Sequence, residues 1–295
     1  MTTDISKYLK DNASFKYNGL YFEFPIQRQS ESLKANAYYF GHPEWAQEYL
    51  TYCHRSETFR DRWKAAGGNW AGKVVIDIGC GSGNIQATLN ENPEILIGVD
   101  VAPKSLELAA GLGYTPVLAD ANNLPFKSGI ADIVTLNATL HHTENMHSIL
   151  KEAARLVKPG GMLITDHDPQ RSAWNYKGLA KLLWNARLVY YRYIGHSFHK
   201  SAEQQKWALA CETHHKPGHG VTRDLFDTIL EPLGFTVNVY PHNHMLGKEI
   251  FEGKTGPVEF KYKLGNFLSG RKPSAKESAL SLMCVAKKPV AVSQL

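Results

Sequence analysis

A doubly wound α/β fold with a mostly parallel sheet follows from three features of the 295-residue sequence. Between residues 73 and 168, runs of β-branched and aliphatic residues alternate with helical patterns, as repeated βαβ units do. These runs are continuously apolar, which is how strands covered on both faces read. A glycine-rich stretch, VIDIGCGSGNI at 76–86, follows directly on the first run.

The elements can be taken in order. Residues 1–66 are expected to form a helical N-terminal cap, rich in aromatics from Tyr8 to Tyr52 and helical from about Ser32 to Ala66, with an interruption at Gly41–Pro43. Gly67 and Gly68 then break the chain. KVVIDIG, EILIGVD, TPVLAD, ADIVTLN and MLITDHD read as strands, separated by helices over SGNIQATLNEN, APKSLELAAGLG and ENMHSILKEAARLV. After Pro169 the rhythm stops, so residues 170–219 are read as an inserted cap over the carboxyl edge of the sheet, where open α/β sheets bind ligands. TRDLFDTILEPLGF resumes as helix, FTVNVY as strand and, after a mixed stretch, SALSLMCVAK as the last strand. The core domain is therefore expected to comprise 67–169 and 220–295.

Composition narrows the class. At 43% apolar and 21% charged the chain is globular, and no run of apolar residues is long enough to span a bilayer. The opening MTTDISKYLK lacks an apolar h-region, and the four cysteines form no CxxC pair, so a cytoplasmic protein with reduced thiols is expected. The net charge of +5 is unevenly spread: residues 170–220 hold eight basic residues against Glu203 and Glu212, leaving the remainder at −1. Electrostatic recognition therefore concerns that segment.

The glycine loop departs from the dinucleotide fingerprint, because Asn84 stands where a third glycine of G-x-G-x-x-G belongs. Asp77, two residues before Gly79, would repel a pyrophosphate and suits an ammonium group. S-adenosylmethionine carries an ammonium, a carboxylate and a sulfonium, and no phosphate. Asp100, with Val101 beside it, ends the second strand, where an acid can accept both ribose hydroxyls. Asp120-Ala121 ends the third, where an acid can bond an adenine amine and a small residue lets the ring lie flat.

On the motifs VIDIGCGSG, GVD, LADANNLPF, ADIVTLNATLHH and LKEAARLVKPGGMLI, in this order, the chain resembles the class I S-adenosylmethionine-dependent methyltransferases, and especially their small-molecule subgroup. The resemblance covers about residues 73–168 and, more weakly, 221–240 and 278–287. It implies a seven-stranded sheet whose last strand is antiparallel. It places Asp77, Gly79, Gly81 and Gly83 around the methionine moiety, Asp100 on the ribose, Asp120 and Ala121 at the adenine, and Asn137 at the floor of the site.

Methyl transfer to a hydroxyl or amine needs alignment and a base near neutral pKa, for which histidine is suited. His141, after the fourth strand, is the expected base, since histidines at this point serve so in several methyltransferase families. His167, with Asp168 to orient it, is the reserve, and His142 is placed at the acceptor. In the insertion, Trp174 and Tyr176 offer aromatic walls, and Arg171 and Arg187 a partner for an anionic group. No metal is expected: His196, His199, His214, His215 and His219 are ligand types, but Pro217 and Gly218 interrupt the helical spacing of the last pair. Nucleic acid is disfavoured, as the fourth strand ends NATL without the Asn/Asp-Pro-Pro-aromatic signature of base-amine methylation, and no Pro-Cys nucleophile is present. A membrane surface is an open but not favoured partner. The expected reaction is methylation of an oxygen nucleophile on a small aromatic or apolar molecule that can carry an anionic group. The alternatives are C- or N-methylation of a quinone-like or lipid acceptor, and a non-catalytic cofactor-binding partner subunit.

Overall fold

The computed structural model describes residues 5–27, 30–52, 56–194, 200–273 and 275–290. Five strands, β3 (Val74–Ile78), β4 (Ile95–Asp100), β5 (Thr115–Leu118), β6 (Ala131–Asn137) and β7 (Val157–Pro169), pair in parallel. They are joined by α4 (Asn84–Leu89), α5 (Pro103–Ala110) and α6 (Met146–Leu156). Beyond them, β9 (Ser281–Lys287) lies antiparallel between β7 and β8 (Thr236–His242), as expected of the last strand. α10 (Arg223–Leu230), capped by the Thr222 hydroxyl, precedes β8.

Among the described residues the sheet has nine strands rather than seven, in the order β1-β2-β5-β4-β3-β6-β7-β9-β8. The two additions are β1 (Lys16–Tyr17) and β2 (Phe22–Glu23), a hairpin closed by the Asn18 carboxamide, which accepts from the amides of Leu20 and Tyr21 at 3.0 Å. β2 pairs in parallel with β5 and so covers an otherwise bare sheet edge. The hairpin occupies the earlier part of the N-terminal cap, and the helices lie in its later part, with a break at His42. α1 (Glu31–Gly41) and α2 (Pro43–Tyr52) roof the carboxyl edge of the sheet, whereas α3 (Glu57–Gly67) sinks Phe59, Arg62 and Trp63 against one sheet face.

β3 is buried at all five positions. Its period of two sends Ile76 and Ile78 into the core shared with α6 and α10, and Val75 into the core shared with α3, α4 and α5. The strand order reverses between β3 and β6, which opens a crevice at their carboxyl ends. The insertion carries α7 (Arg171–Trp174), α8 (Gly178–Ile194) and α9 (Ala202–Cys211). α9 packs on α1, and α8 packs on α11 (Phe260–Leu268), a helix inside the stretch between β8 and β9 that showed no clear pattern. No helix of the described residues is long and apolar enough to cross a membrane.

Candidate active site

The crevice is a cleft built from the ends of β3, β4, β5 and β6 and roofed by α1 and α2. The loop after β3 is pinned to β4, with the amides of Gly79 and Cys80 donating to the Val99 carbonyl at 2.8 and 3.1 Å. Gly79 has φ +70°, and a Cβ there would meet the Thr139 side chain at 2.5 Å. Gly81 has φ +52°, and a Cβ there would enter open space, so its backbone borders the cavity itself.

Three carboxylates line this cleft. Asp77 is 1% exposed and accepts from the Thr135 and Tyr114 hydroxyls, each at 2.7 Å, while burial pushes its carboxyl up to about 7. Asp100 is held by the backbone. Its Oδ2 accepts from Gly81 N at 2.8 Å, and its Oδ1 from Val101 N and Ala102 N at 2.7 and 2.9 Å. Asp120 accepts from the Asn122 amide and carboxamide on Oδ1 alone. Ala121 and Val101 line the cleft beside them. The Oδ1 atoms of Asn137 and Asn84, both on the cleft wall, are buried without a hydrogen-bond partner among the described residues. Gly83, expected at the cofactor, does not line the cleft. It precedes α4 at φ +89°, where a Cβ would meet Leu112 and Tyr114 at 2.9 and 3.0 Å, so it permits close packing on that side instead.

The short 3-10 turn Leu140–His142 carries two histidines with different surroundings. His142 lines the cleft, with Nδ1 3.0 Å from the Cys211 carbonyl. Its own carbonyl accepts from Ser32 Oγ at 2.9 Å, Asn36 Nδ2 at 3.0 Å and Thr213 Oγ1 at 3.4 Å. His141 sits behind it, ring centroids 3.9 Å apart. The Asp168 carboxylate grips His141 twice, with Oδ1 2.8 Å from Nδ1 and 3.0 Å from the backbone nitrogen. The far nitrogen of His141, Nε2, lies 3.6 Å from Glu212 Oε2, which is also 3.0 Å from His215 Nδ1. Burial lowers both histidines to about 4, although Glu212 pulls the other way, and burial raises Asp168 to about 7.

The structure therefore corrects the pairing of Asp168, which orients His141 and not His167. β7 is irregular between Thr165 and Asp168, with His167 at φ +62°. That irregularity sends His167 away from the cleft, stacked on His244 at 4.4 Å and 5.3 Å from Phe59, beside Asp166. Asp166 is fully buried and bound by Arg62, Trp63 and His242 at 3.0, 3.1 and 2.7 Å.

A second cavity of about 400 Å³ lies between α7, α8 and α11. Trp174, Tyr176, Trp184, Tyr191 and Tyr262 form its aromatic wall, with Arg187, Lys261 and His215 as its polar groups. Arg187 lies 3.3 Å over the Trp184 ring, and the Trp174 ring meets His215 edge-on at 4.4 Å. Of the residues expected at the acceptor, Trp174, Tyr176 and Arg187 meet in this chamber and His142 faces the other cleft. Asp168 stands behind His141. Arg171 is exposed at the start of α7 and borders neither cavity. Glu212 was not expected at all, and Lys261 and Tyr262 come from α11. The histidines His142, His141 and His215 thus form a bridge from the cleft to the chamber.

Two sets on this bridge could accept a metal ion: His141, Glu212 and His215, and His142, Cys211 and Glu212, with ligand atoms within 4.8 Å in each. In the structure Glu212 bonds to His215 directly. His196 and His199 lie outside the described residues.

Comparison with known proteins places this arrangement. Residues 76–165 match the model of a methyltransferase domain. A demethylmenaquinone methyltransferase of Lactococcus lactis is 27% identical over half of this chain and 63% of its own length. A ubiquinone biosynthesis O-methyltransferase of Bordetella avium is 31% identical over 37% of this chain and 48% of its own. A tRNA (carboxymethyluridine(34)-5-O)-methyltransferase of Arabidopsis thaliana is 36% identical over 32% of this chain and 24% of its own. The chain thus spans less than two thirds of the length of these relatives. Among solved structures, a phosphoethanolamine N-methyltransferase of Haemonchus contortus superposes with TM-score 0.55 at 16% identity, covering 90% of this chain and 62% of that one. A geranyl diphosphate C-methyltransferase of Streptomyces coelicolor superposes with TM-score 0.54 at 13% identity, covering 89% of this chain and all of that one. A cyclase of the same fold (TM-score 0.51, 15% identity, 90% and 98% coverage) shows that the fold alone does not carry the reaction.

Proposed function

Residues 76–165 are a class I S-adenosylmethionine-dependent methyltransferase domain, and from that premise we propose that the protein methylates a small acceptor with an aromatic or apolar body, at an oxygen nucleophile. One observation carries the reading: Asp77, Asp100 and Asp120 line one cleft together with a glycine loop whose Gly81 backbone borders the cavity. This donor set fits S-adenosylmethionine. Asp77 would face the ammonium, Asp100 the ribose and Asp120 the adenine amine, and the unpartnered Asn137 and Asn84 oxygens await polar hydrogens. When bound, the sulfonium supplies an already activated methyl group.

The chain's own part is alignment and proton removal. Asp168 holds His141 Nδ1, which fixes the tautomer and directs Nε2 to Glu212. His141 borders neither cavity, so its role as base is for an acceptor hydroxyl that reaches it between His142 and His215. His141 remains neutral because burial lowers its pKa to about 4. His167 is given no such role, because its ring is packed against His244 and Phe59. The aromatic chamber is the proposed seat of the acceptor's body, with Arg187 and Lys261 for an anionic group. The quinone-related names of two relatives support an aromatic, lipophilic acceptor.

The test is calorimetry with S-adenosylhomocysteine, followed by transfer of labelled methyl from S-adenosylmethionine to a panel of phenols and lipophilic acids. Binding with turnover on phenolic oxygen supports the reading. Product methylated on carbon or nitrogen moves it to the quinone-like alternative, binding without turnover on any acceptor favours a non-catalytic partner subunit, and no binding overturns it.

A further inference from the structure

The outer faces of α8 and α11 do not look like the rest of the surface. Of the seventeen large hydrophobic side chains exposed among the described residues, ten lie on these two helices, seven on α8 and three on α11. The helices are 17 and nine residues long, so this is a concentration and not background. On α8, Leu179, Leu182, Val189 and Tyr193 follow one stripe at helical spacing, with Tyr193 89% and Val189 75% exposed. On α11, Phe260 and Phe267 are 78% and 70% exposed. α8 and α11 pack on each other, so the two apolar stripes lie on neighbouring helices. Single exposed hydrophobic residues need no explanation, but a contiguous set does.

Charge identifies what covers it. α8 holds Lys181, Arg187 and Arg192 and no acid, and α11 holds Lys261 and Lys263 and no acid. Lys181, Arg192 and Lys263 have no ion-pair partner among the described residues, and the segment 170–220 holds the chain's whole positive excess. An apolar stripe flanked by unpaired cations, on a helix that cannot cross a bilayer, is the pattern of a helix lying in the headgroup region. We propose that the α8–α11 face docks on an anionic lipid surface. The inner faces of the same helices are the walls of the aromatic chamber. Docking would set that chamber against the bilayer, and a lipophilic acceptor would enter it without crossing water. The docking surface stands independently of the methyl-transfer reading; only the entry route rests on it.

The experiment is co-sedimentation of the full chain with vesicles of phosphatidylcholine alone and of phosphatidylcholine with phosphatidylglycerol. The expected result is pelleting with the anionic vesicles only, weakening as salt rises. The double variant Lys181→Glu with Arg192→Glu should lower partition by about twenty-five-fold or more, at about fivefold per cation lost. Val189→Glu with Phe267→Glu should lower it comparably through the apolar contact. None of these four side chains borders either cavity, so each variant should keep wild-type affinity for S-adenosylhomocysteine. That separates lost docking from lost fold, and from failure of the methyltransferase reading. No pelleting of the wild type, or pelleting of both double variants to the same extent as the wild type, overturns the proposal. So does light scattering that shows a dimer dissociated by Val189→Glu, which would give the face to a second copy. So does salt-sensitive retention of an RNA oligonucleotide without retention by vesicles.

Discussion

Asp100→Asn is the sharpest probe of the cofactor cleft. The carboxylate accepts three backbone bonds, one on Oδ2 from Gly81 and two on Oδ1 from Val101 and Ala102. An amide of the same shape keeps one oxygen. In either orientation its NH2 group faces a backbone N–H or the ribose hydroxyls, so at least one charge-assisted bond is lost. Such a bond is worth about 1.5–3 kcal/mol, and a factor of ten corresponds to about 1.4 kcal/mol. The dissociation constant for S-adenosylhomocysteine should therefore rise by about 10- to 150-fold, read by isothermal titration calorimetry. Asp100→Ala is a poorer probe. This carboxylate ties the glycine loop to the end of β4, so a lower urea midpoint should accompany the weaker binding. An Asp100→Asn protein that binds S-adenosylhomocysteine within about twofold of wild type would refute the ribose assignment.

Burial holds Asp77 protonated to about pH 7, so a ligand ammonium must displace that proton. Affinity for S-adenosylhomocysteine should be flat above pH 7 and fall by about tenfold per unit below it, with proton release visible as buffer-dependent enthalpy; a flat profile in wild type counts against the contact, and Asp77→Asn should abolish the slope. His141→Ala should lower turnover by about a hundredfold without changing cofactor affinity. Because burial lowers His141 to about 4, the acid limb of kcat at saturating cofactor, where the Asp77 proton is already displaced, should fall near that value and not at the usual histidine pKa, and a limb of kcat that survives the substitution would remove His141 from the role. Gly79→Ala forces a side chain into Thr139 at a left-handed φ, so cofactor binding should be lost, and retained affinity would show that the loop tolerates a Cβ. Arg62→Leu leaves Asp166 buried with its ion pair removed and should cost about 3–5 kcal/mol in urea unfolding; a cost below about 1 kcal/mol would mean that the pair behaves as a surface one.

The parallel core was legible because its strands are apolar throughout and its acids stand at strand ends. Asp77 stands one residue before the end of β3, Asp100 closes β4 and Asp120 follows β5, and their place in the cleft follows from parallel winding. The edge hairpin was not legible, because strands of two residues have no periodicity to read. α11 was hidden by Gly265, which reads as a breaker; here a Cβ would strike the Tyr176 ring at 2.8 Å, so the glycine serves packing. Adjacency in sequence suggested that Asp168 serves His167. The irregularity of β7 separates the two, and the true partner, His141, is 27 positions away. Glu212 carried no signal, since its meaning comes from α9 being folded back against the turn after β6.

The His142 carbonyl, where Ser32 and Asn36 of α1 meet Thr213 of the insertion, has a kinetic consequence. α1 roofs the cofactor cleft, and Thr213 follows Glu212 on the acceptor side, so both doors hang on one hinge pin. Lifting α1 to exchange S-adenosylmethionine breaks bonds at the turn that carries both histidines and loosens the acceptor side with it. The two substrates cannot then come and go independently. On the proposed function, the cofactor is expected to load first and S-adenosylhomocysteine to leave last, which product inhibition checks: competitive against S-adenosylmethionine and noncompetitive against the acceptor is the expected pattern.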